Sequence, residues 1–338
     1  MKEQRPITLV VHLVAMICVV SLLAALGGCG GVSQPAESQR VLNVGMLLAK
    51  GGLGDRPFND SAYSGLQEAQ KQLGIRFETA DFTSDEANLE ALRRFAQEGY
   101  DLIIGVGFEN ATNIETVAPE FPDRCFAIID VEVEGDNVAS VVYREQEGDF
   151  LMGVLAAMLT ETGEVGFIGG MDIPVIQRIE GGFKQGVTYQ DSSVAVVSDM
   201  AGTFADPEVG KSLALAQYDA GVDVIYNGAG RTGLGIIEAA KETGHLTIGT
   251  SGDQRYLAPG NVVGNRPKRV DTAVLTLVRE VQEGQFAPGT RSLGLEEEGL
   301  ALGPFDQDIV SDSMVKELEQ LKAQIISGDI VVEAVTGQ

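Results

Sequence analysis

Tryptophan is absent from this 338-residue chain, and only three cysteines and two histidines occur. One histidine, His12, lies in an N-terminal apolar run, so His245 alone is left for the remainder of the chain. No cluster of nitrogen and sulfur ligands for zinc is possible, and no D-x-D-x-D-G calcium loop appears. A Ser/His/Asp or Cys/His triad would have to use His245, which follows Gly244 at a predicted helix end. Positive charge is also scarce, with 24 Lys and Arg against 49 Asp and Glu. A net charge of -25 gives no basic footprint for nucleic acid or anionic lipid. No catalytic acid/base pair, metal or cofactor is expected, and the chain reads as a non-enzyme. Cys18 falls within the apolar run and Cys29 just after it, so Cys125 has no internal disulfide partner.

Lys2 and Arg5 precede an apolar stretch over residues 7–26, and small residues follow, the pattern of a secretory signal. Leu26-Gly27-Gly28-Cys29 resembles the lipobox of bacterial lipoproteins, which implies cleavage after residue 28 and a diacylglycerol on Cys29. Loss of residues 1–28 would remove Lys2, Glu3 and Arg5, leaving 22 basic against 48 acidic side chains. Residues 29–40 read as a flexible tether, placing the remainder in the cell envelope outside the cytoplasm.

From Val41 onward, short apolar runs alternate with helical periodicity, which predicts α/β lobes built on doubly wound parallel sheets. The first series includes strands near Val41–Leu48, Ile75–Ala80, Leu102–Val106 and Phe126–Ile129. A helix through Leu73 is expected to be capped by Asn59 or Asp60. After Val138–Tyr143 and a helical stretch with Phe150, Leu151, Val154 and Leu155, the plan restarts at Val165. Pro174 and Asp206-Pro207 open the next helices. The expected division is an N-terminal lobe over 41–143, rejoined by about 250–285. The C-terminal lobe covers 144–249, with about 286–335 distributed between the two.

In such folds ligands sit beyond the carboxyl ends of the strands. Asp130 falls just past one strand, and Phe58, Tyr63, Phe204 and Tyr226 fall near turns or helix starts. A flat ligand between two rings, oriented by carboxylates, fits this placement. Gly228-Ala229-Gly230-Arg231-Thr232-Gly233 is a full G-x-G-x-x-G, with Asp253 twenty positions after Gly233. An exported NAD-dependent oxidoreductase is therefore an alternative, as are a nucleosidase and a ligand sensor for a membrane signalling partner. The P-loop-like run ending Gly210-Lys211-Ser212 has Ala205 at its first glycine, and Pro207 removes a needed amide.

Blocks along nearly the whole remaining chain are similar to the basic membrane lipoprotein family. They include Gly54-Asp-Arg-Pro-Phe-Asn-Asp-Ser-Ala, Ile129-Asp130, Tyr143-Arg-Glu-Gln-Glu-Gly-Asp-Phe-Leu-Met-Gly and Val165-Gly-Phe-Ile-Gly-Gly. Ala201-Gly-Thr-Phe-Ala-Asp-Pro, Ala229-Gly-Arg-Thr-Gly-Leu-Gly, Gly249-Thr-Ser-Gly-Asp-Gln and Lys268-Arg-Val-Asp extend the match. The resemblance implies a two-lobe type I periplasmic-binding-protein fold and a lipid-anchored receptor feeding purine nucleosides to the membrane subunits of an ABC importer. It further implies that Phe204 stacks on the base, with Tyr63 or Phe58 opposite. Asp55 and Asn59 would lie near the base or ribose, and Asp130 would accept from the ligand. Gly230 would form a backbone wall, Lys268 would sit near the sugar, and Asp253 is retained. Where the family has a ribose-binding aspartate, Ser251 stands here; Gly54 and Asn265-Arg-Pro-Lys268 also depart from its pattern. The expected ligands therefore include a free base, a modified nucleoside or another small heterocycle.

Overall fold

The computed structural model describes residues 40–55, 58–250 and 252–336. The expected signal peptide, Cys29 and nearly all of the tether lie outside the described residues, as does Ser251. No helix among the described residues is long and apolar enough to cross a membrane.

Two all-parallel sheets organise the body from Val41 onward. The first contains β1 (Asn43–Leu47), β2 (Arg76–Ala80), β3 (Leu102–Val106), β4 (Cys125–Ile129), β5 (Val138–Tyr143) and β11 (Gly289–Leu293), in the order β11-β5-β4-β3-β1-β2. The second contains β6 (Glu164–Gly169), β7 (Ala195–Met200), β8 (Val224–Gly228), β9 (Leu246–Gly249) and β10 (Val262–Asn265), in the order β10-β9-β8-β6-β7. Strand order reverses between β1 and β3 and again between β6 and β8, which opens a crevice at each carboxyl edge. β3 is buried at all five positions, as expected of a strand covered by helices on both faces.

The connecting helices follow the predicted periodicity. α1 (Asn59–Leu73), α2 (Asp85–Gln97) and α3 (Ala111–Val117) belong to the first series, and α4 (Glu145–Leu159) and α5 (Pro174–Gln190) begin the second. α6 (Pro207–Asp219), α7 (Gly233–Thr243), α8 (Val270–Gln282) and α9 (Asp312–Ser327) complete the set. Asp206 caps α6 through Glu208 N, and Ser311 caps α9 through Met314 N.

The chain crosses between lobes differently from the sequence expectation. β10, which lacks a clear apolar run, pairs with β9 and stays in the second sheet. Only at α8 does the chain return to the first lobe, where α8 packs on α1 across Gly65. β11 then forms the edge of the first sheet beside β5, and α9 packs on α4 in the second lobe. The cap of α1 also differs. Neither Asn59 nor Asp60 fills that role; Asp55 reaches forward and accepts from both their backbone amides, at 2.9 and 3.2 Å.

α4 and α5 are in backbone contact because glycines on each helix face the backbone of the other. A Cβ on Gly186 would lie 1.9 Å from Phe150 O, and one on Gly153 would lie 2.0 Å from Phe183 O. Helix propensity alone favours Gly186→Ala by about 1 kcal/mol. Such a contact reverses the sign, so Gly186→Ala should lower stability by about 1–3 kcal/mol. Urea unfolding decides between the two; a more stable variant would rule out the close packing.

Candidate ligand-binding site

A cavity of about 120 Å³ lies where the strand ends of the two sheets face each other. The first lobe contributes Ala49 and Lys50 after β1, Gly107, Phe108 and Glu109 after β3, and Asp130 after β4. The second contributes Phe204 after β7, Gly228 and Gly230 from the end of β8, and Thr250 after β9. Arg266 and Lys268 follow β10, and Ile173, Val175, Ile176 and Ile179 form an aliphatic wall at the start of α5.

On the first-lobe side, Asn59 fastens the loop after β1. Its side chain accepts from Ala49 N at 2.8 Å and donates to Asp55 Oδ2 at 2.9 Å. Asp55 is 4 % exposed, and burial pushes its carboxyl up to about 6 against the pull of the donors from Asn59 and Asp60. Phe58 also lines the cavity, with the Lys268 ammonium 5.7 Å from its ring centre.

Phe204 faces it from the second lobe, and two glycines give the ring its space. A Cβ on Gly170 would fall 2.2 Å from the ring, and one on Gly230 would fall 3.3 Å away. Gly230 also has a φ of +59°, which a side chain would strain. In the G-x-G-x-x-G turn, Gly233 packs on Asn227, and the Thr232 amide donates to Phe204 O at 3.2 Å. That turn is built to seat Phe204, and the Thr232 amide is already engaged.

Lys268 joins the lobes at the cavity. Its Nζ donates to both oxygens of Asp130, at 2.8 and 2.9 Å, and to Glu145 Oε1 at 2.9 Å. Glu145, fully buried at the start of α4, accepts a further bond from Arg178 Nε at 2.8 Å. Burial raises the Asp130 carboxyl, with Lys268 opposing. For Glu145 burial acts in the same direction, yet Lys268 and Arg178 together outweigh it and hold the carboxyl below its usual value. Asp130 itself has a φ of +79°, unusual for a residue with a side chain.

The cavity wall therefore gathers Asp55, Phe58, Asn59, Asp130, Phe204, Gly230 and Lys268 from the expected set. Tyr226 does not reach it. A mid-strand position on β8 turns its ring into the core, 5.0 Å from Phe183, where its hydroxyl donates to Asp149. Tyr63, one turn into α1, packs edge-on against Phe77 at 5.6 Å and is not part of the wall. Asp253 points into an exposed ion pair, with Arg255 Nε and Nη2 each at 2.9 Å, and is likewise away from the wall. Phe108, Glu109, Lys50, Arg231 and Arg266 are wall residues that the sequence expectation left out. Phe108 was findable, because it follows β3 as Asp130 follows β4. Arg266 follows β10, the strand with no clear signal.

A model of the family described as PnrA-like ABC transporter substrate-binding proteins matches residues 42–336. Basic membrane protein A of Borreliella burgdorferi is 32% identical over 85% of this chain and 86% of its own length. An uncharacterized lipoprotein of Pyrococcus abyssi is 33% identical over 94% of this chain and 82% of its own. Among solved structures, a solute-binding protein of an ABC transporter system from Aeropyrum pernix superposes with a TM-score of 0.79. It is 33% identical and the match covers 86% of this chain and 94% of that one. The fold is thus that of the type I periplasmic class of solute-binding proteins.

Two outcomes test the electrostatics of this site. Glu145→Ala leaves Lys268 and Arg178 short of a buried carboxylate and should cost about 3–5 kcal/mol. Glu98→Ala, at the exposed pair with Arg94, should cost no more than about 1 kcal/mol. Equal losses in urea would contradict the buried pairing. Asp55 supplies a pH signature. Because its folded-state pKa is raised, its contribution to stability is full below about pH 3.8 and fades as pH rises through about 6. Asp55→Asn should therefore gain stability relative to wild type between pH 4.5 and 7.5, measured by urea unfolding at the two pH values.

Proposed function

The chain belongs to the Bmp family of ABC-transporter substrate-binding proteins, and on that premise we propose that it is a lipid-anchored receptor whose two lobes close on a purine nucleoside or a related nucleobase or heterocycle. Its outward-facing location and delivery of the ligand to the membrane subunits of an importer are part of the same reading, as is lipidation of Cys29. The observation that carries it is that Phe58 and Phe108 from one lobe and Phe204 from the other line one cavity, together with Asp55 and Asp130. Aromatic faces suit a planar ring, and carboxylates suit its amines or a sugar diol.

The binding step follows from where these groups stand. A heterocycle between the lobes gains stacking from both only when they are closed, so it favours the closed population. Phe204 supplies the second-lobe ring, and Gly170 and Gly230 let it approach. Phe58 supplies the ring of the first lobe, with Phe108 nearer the solvent. Asp55, ordered by Asn59, and Asp130, held by Lys268, present oxygens to donors on the ligand. Lys268 is equally placed to donate to a sugar hydroxyl once a ligand shares its bonds.

Calorimetric titration of the full chain, purified in detergent, with purine nucleosides and bases tests the reading. Binding at micromolar concentration or tighter is expected, and no heat with any of them would defeat it. Phe204→Ala should weaken binding by about 1–3 kcal/mol, the worth of one ring stacked on a base. Unchanged affinity would remove Phe204 from the ligand contact.

A further inference from the structure

Among the described residues Arg266 is the largest side chain with no exposure at all, yet it forms part of the cavity wall. It enters from the end of β10, its backbone amide donating to Gly249 O at 2.8 Å. Its aliphatic stem packs against Gly148, where a Cβ would lie 2.8 Å from Arg266 Cδ. The guanidinium is paired with Asp149, which is also fully buried, and its contacts with that carboxylate converge on a single oxygen. Arg266 Nε donates to Asp149 Oδ1 at 2.7 Å, Nη2 lies 2.7 Å from it, and the Tyr226 hydroxyl donates to it as well. Arg266 Nη1 and Nη2 are both left with no hydrogen-bond partner, Nη2 having only its ion-pair approach to Asp149, and Asp149 Oδ2 is likewise unpartnered. A buried donor without an acceptor is costly, and most such groups in native proteins find a partner.

What could meet these Nη groups is restricted by charge. Asp149 already neutralises the guanidinium. The wall's four cations and three carboxylates, taken with Arg178, Glu145 and Asp149 behind them, come to five of each sign. An anionic ligand would find no surplus positive charge here, whereas a neutral acceptor would complete the arginine without disturbing the balance. Lys268, a half-buried cation of the wall, is engaged by Asp130 and Glu145, so the two Nη groups of Arg266 are the buried wall donors left over. A carbonyl oxygen on a planar ring has the required chemistry. An exocyclic amine does not, because it would bring donor against donor.

Resting on the purine reading above, we propose that Arg266 determines specificity by donating an Nη–H to an exocyclic oxygen of the bound ring, so that the site selects oxo-purines over aminopurines. Asp149 and Tyr226 are positioning residues that hold the guanidinium in the wall.

The test compares inosine, purine riboside and adenosine by calorimetric titration of the full chain in detergent. These share the sugar and differ at the ring position that carries oxygen, hydrogen or an amine. Wild type should bind inosine about 10- to 100-fold more tightly than either of the others, the range for one hydrogen bond to a charged donor. The double variant Asp149→Leu/Arg266→Met removes both buried charges together and should bind all three within about threefold of one another. If it fails to give a cooperative melt, Arg266→Lys keeps a cation against Asp149 but withdraws the fork, and should show the same levelling. Equal affinities in wild type, or an inosine preference that survives in the variants, would overturn the role of Arg266 while leaving a purine receptor in place. Binding of none of the three, nor of hypoxanthine or adenine, would remove the purine reading and this selectivity together.

Discussion

A half-buried ammonium bonds across the two halves of this protein. Lys268 sits in the connection from the second sheet to α8, and its bonds run to Asp130 at the end of β4 and to Glu145 at the start of α4. Removing such charges from water costs several kcal/mol each, so they persist only as a closed set. Arg178 closes it by balancing Glu145 from α5, giving two cations and two carboxylates. Because Asp130 also lines the cavity, a ligand that takes part of its hydrogen bonding acts on the same set that spans the lobes.

The rest of the cavity depends on where backbone can come close. Gly170 and Gly230 leave room for the Phe204 ring, while Gly153, Gly182 and Gly186 bring α4 and α5 into backbone contact behind it. That close packing fixes the first turn of α4, which holds Glu145 and Gln146, and its next residues Gly148 and Asp149. The Arg266 stem then fits over Gly148. Position along the helix, packing and site electrostatics are thus one arrangement. A bulkier residue at any of these glycines would be felt at the cavity.

Most of the strand–helix plan was legible because its strands are short apolar runs and its helices carry one apolar face. The strand that escaped, Val262–Asn265, ends in glycine and asparagine, and its burial comes wholly from its neighbours. Missing it shifted the expected point at which the chain returns to the first lobe. The same gap hid Arg266, which the end of that strand delivers to the cavity. Tyr226 and Asp253 show the other limit. Both have suitable chemistry near a strand end, but a mid-strand register turns one into the core, and Arg255 holds the other in an exposed pair.

By itself the sequence determined the class of fold, the scarcity of histidine and cysteine, and a set of rings and acids following successive strands. These are local properties, fixed by periodicity and residue type. Only the tertiary structure decided which of them share one wall, that Asp55 caps α1, and that half-buried Lys268 and fully buried Arg266 are charges with named partners. Those outcomes depend on strand order and on the close approach of segments more than a hundred residues apart, as with Asp149 and Arg266, which no local pattern records.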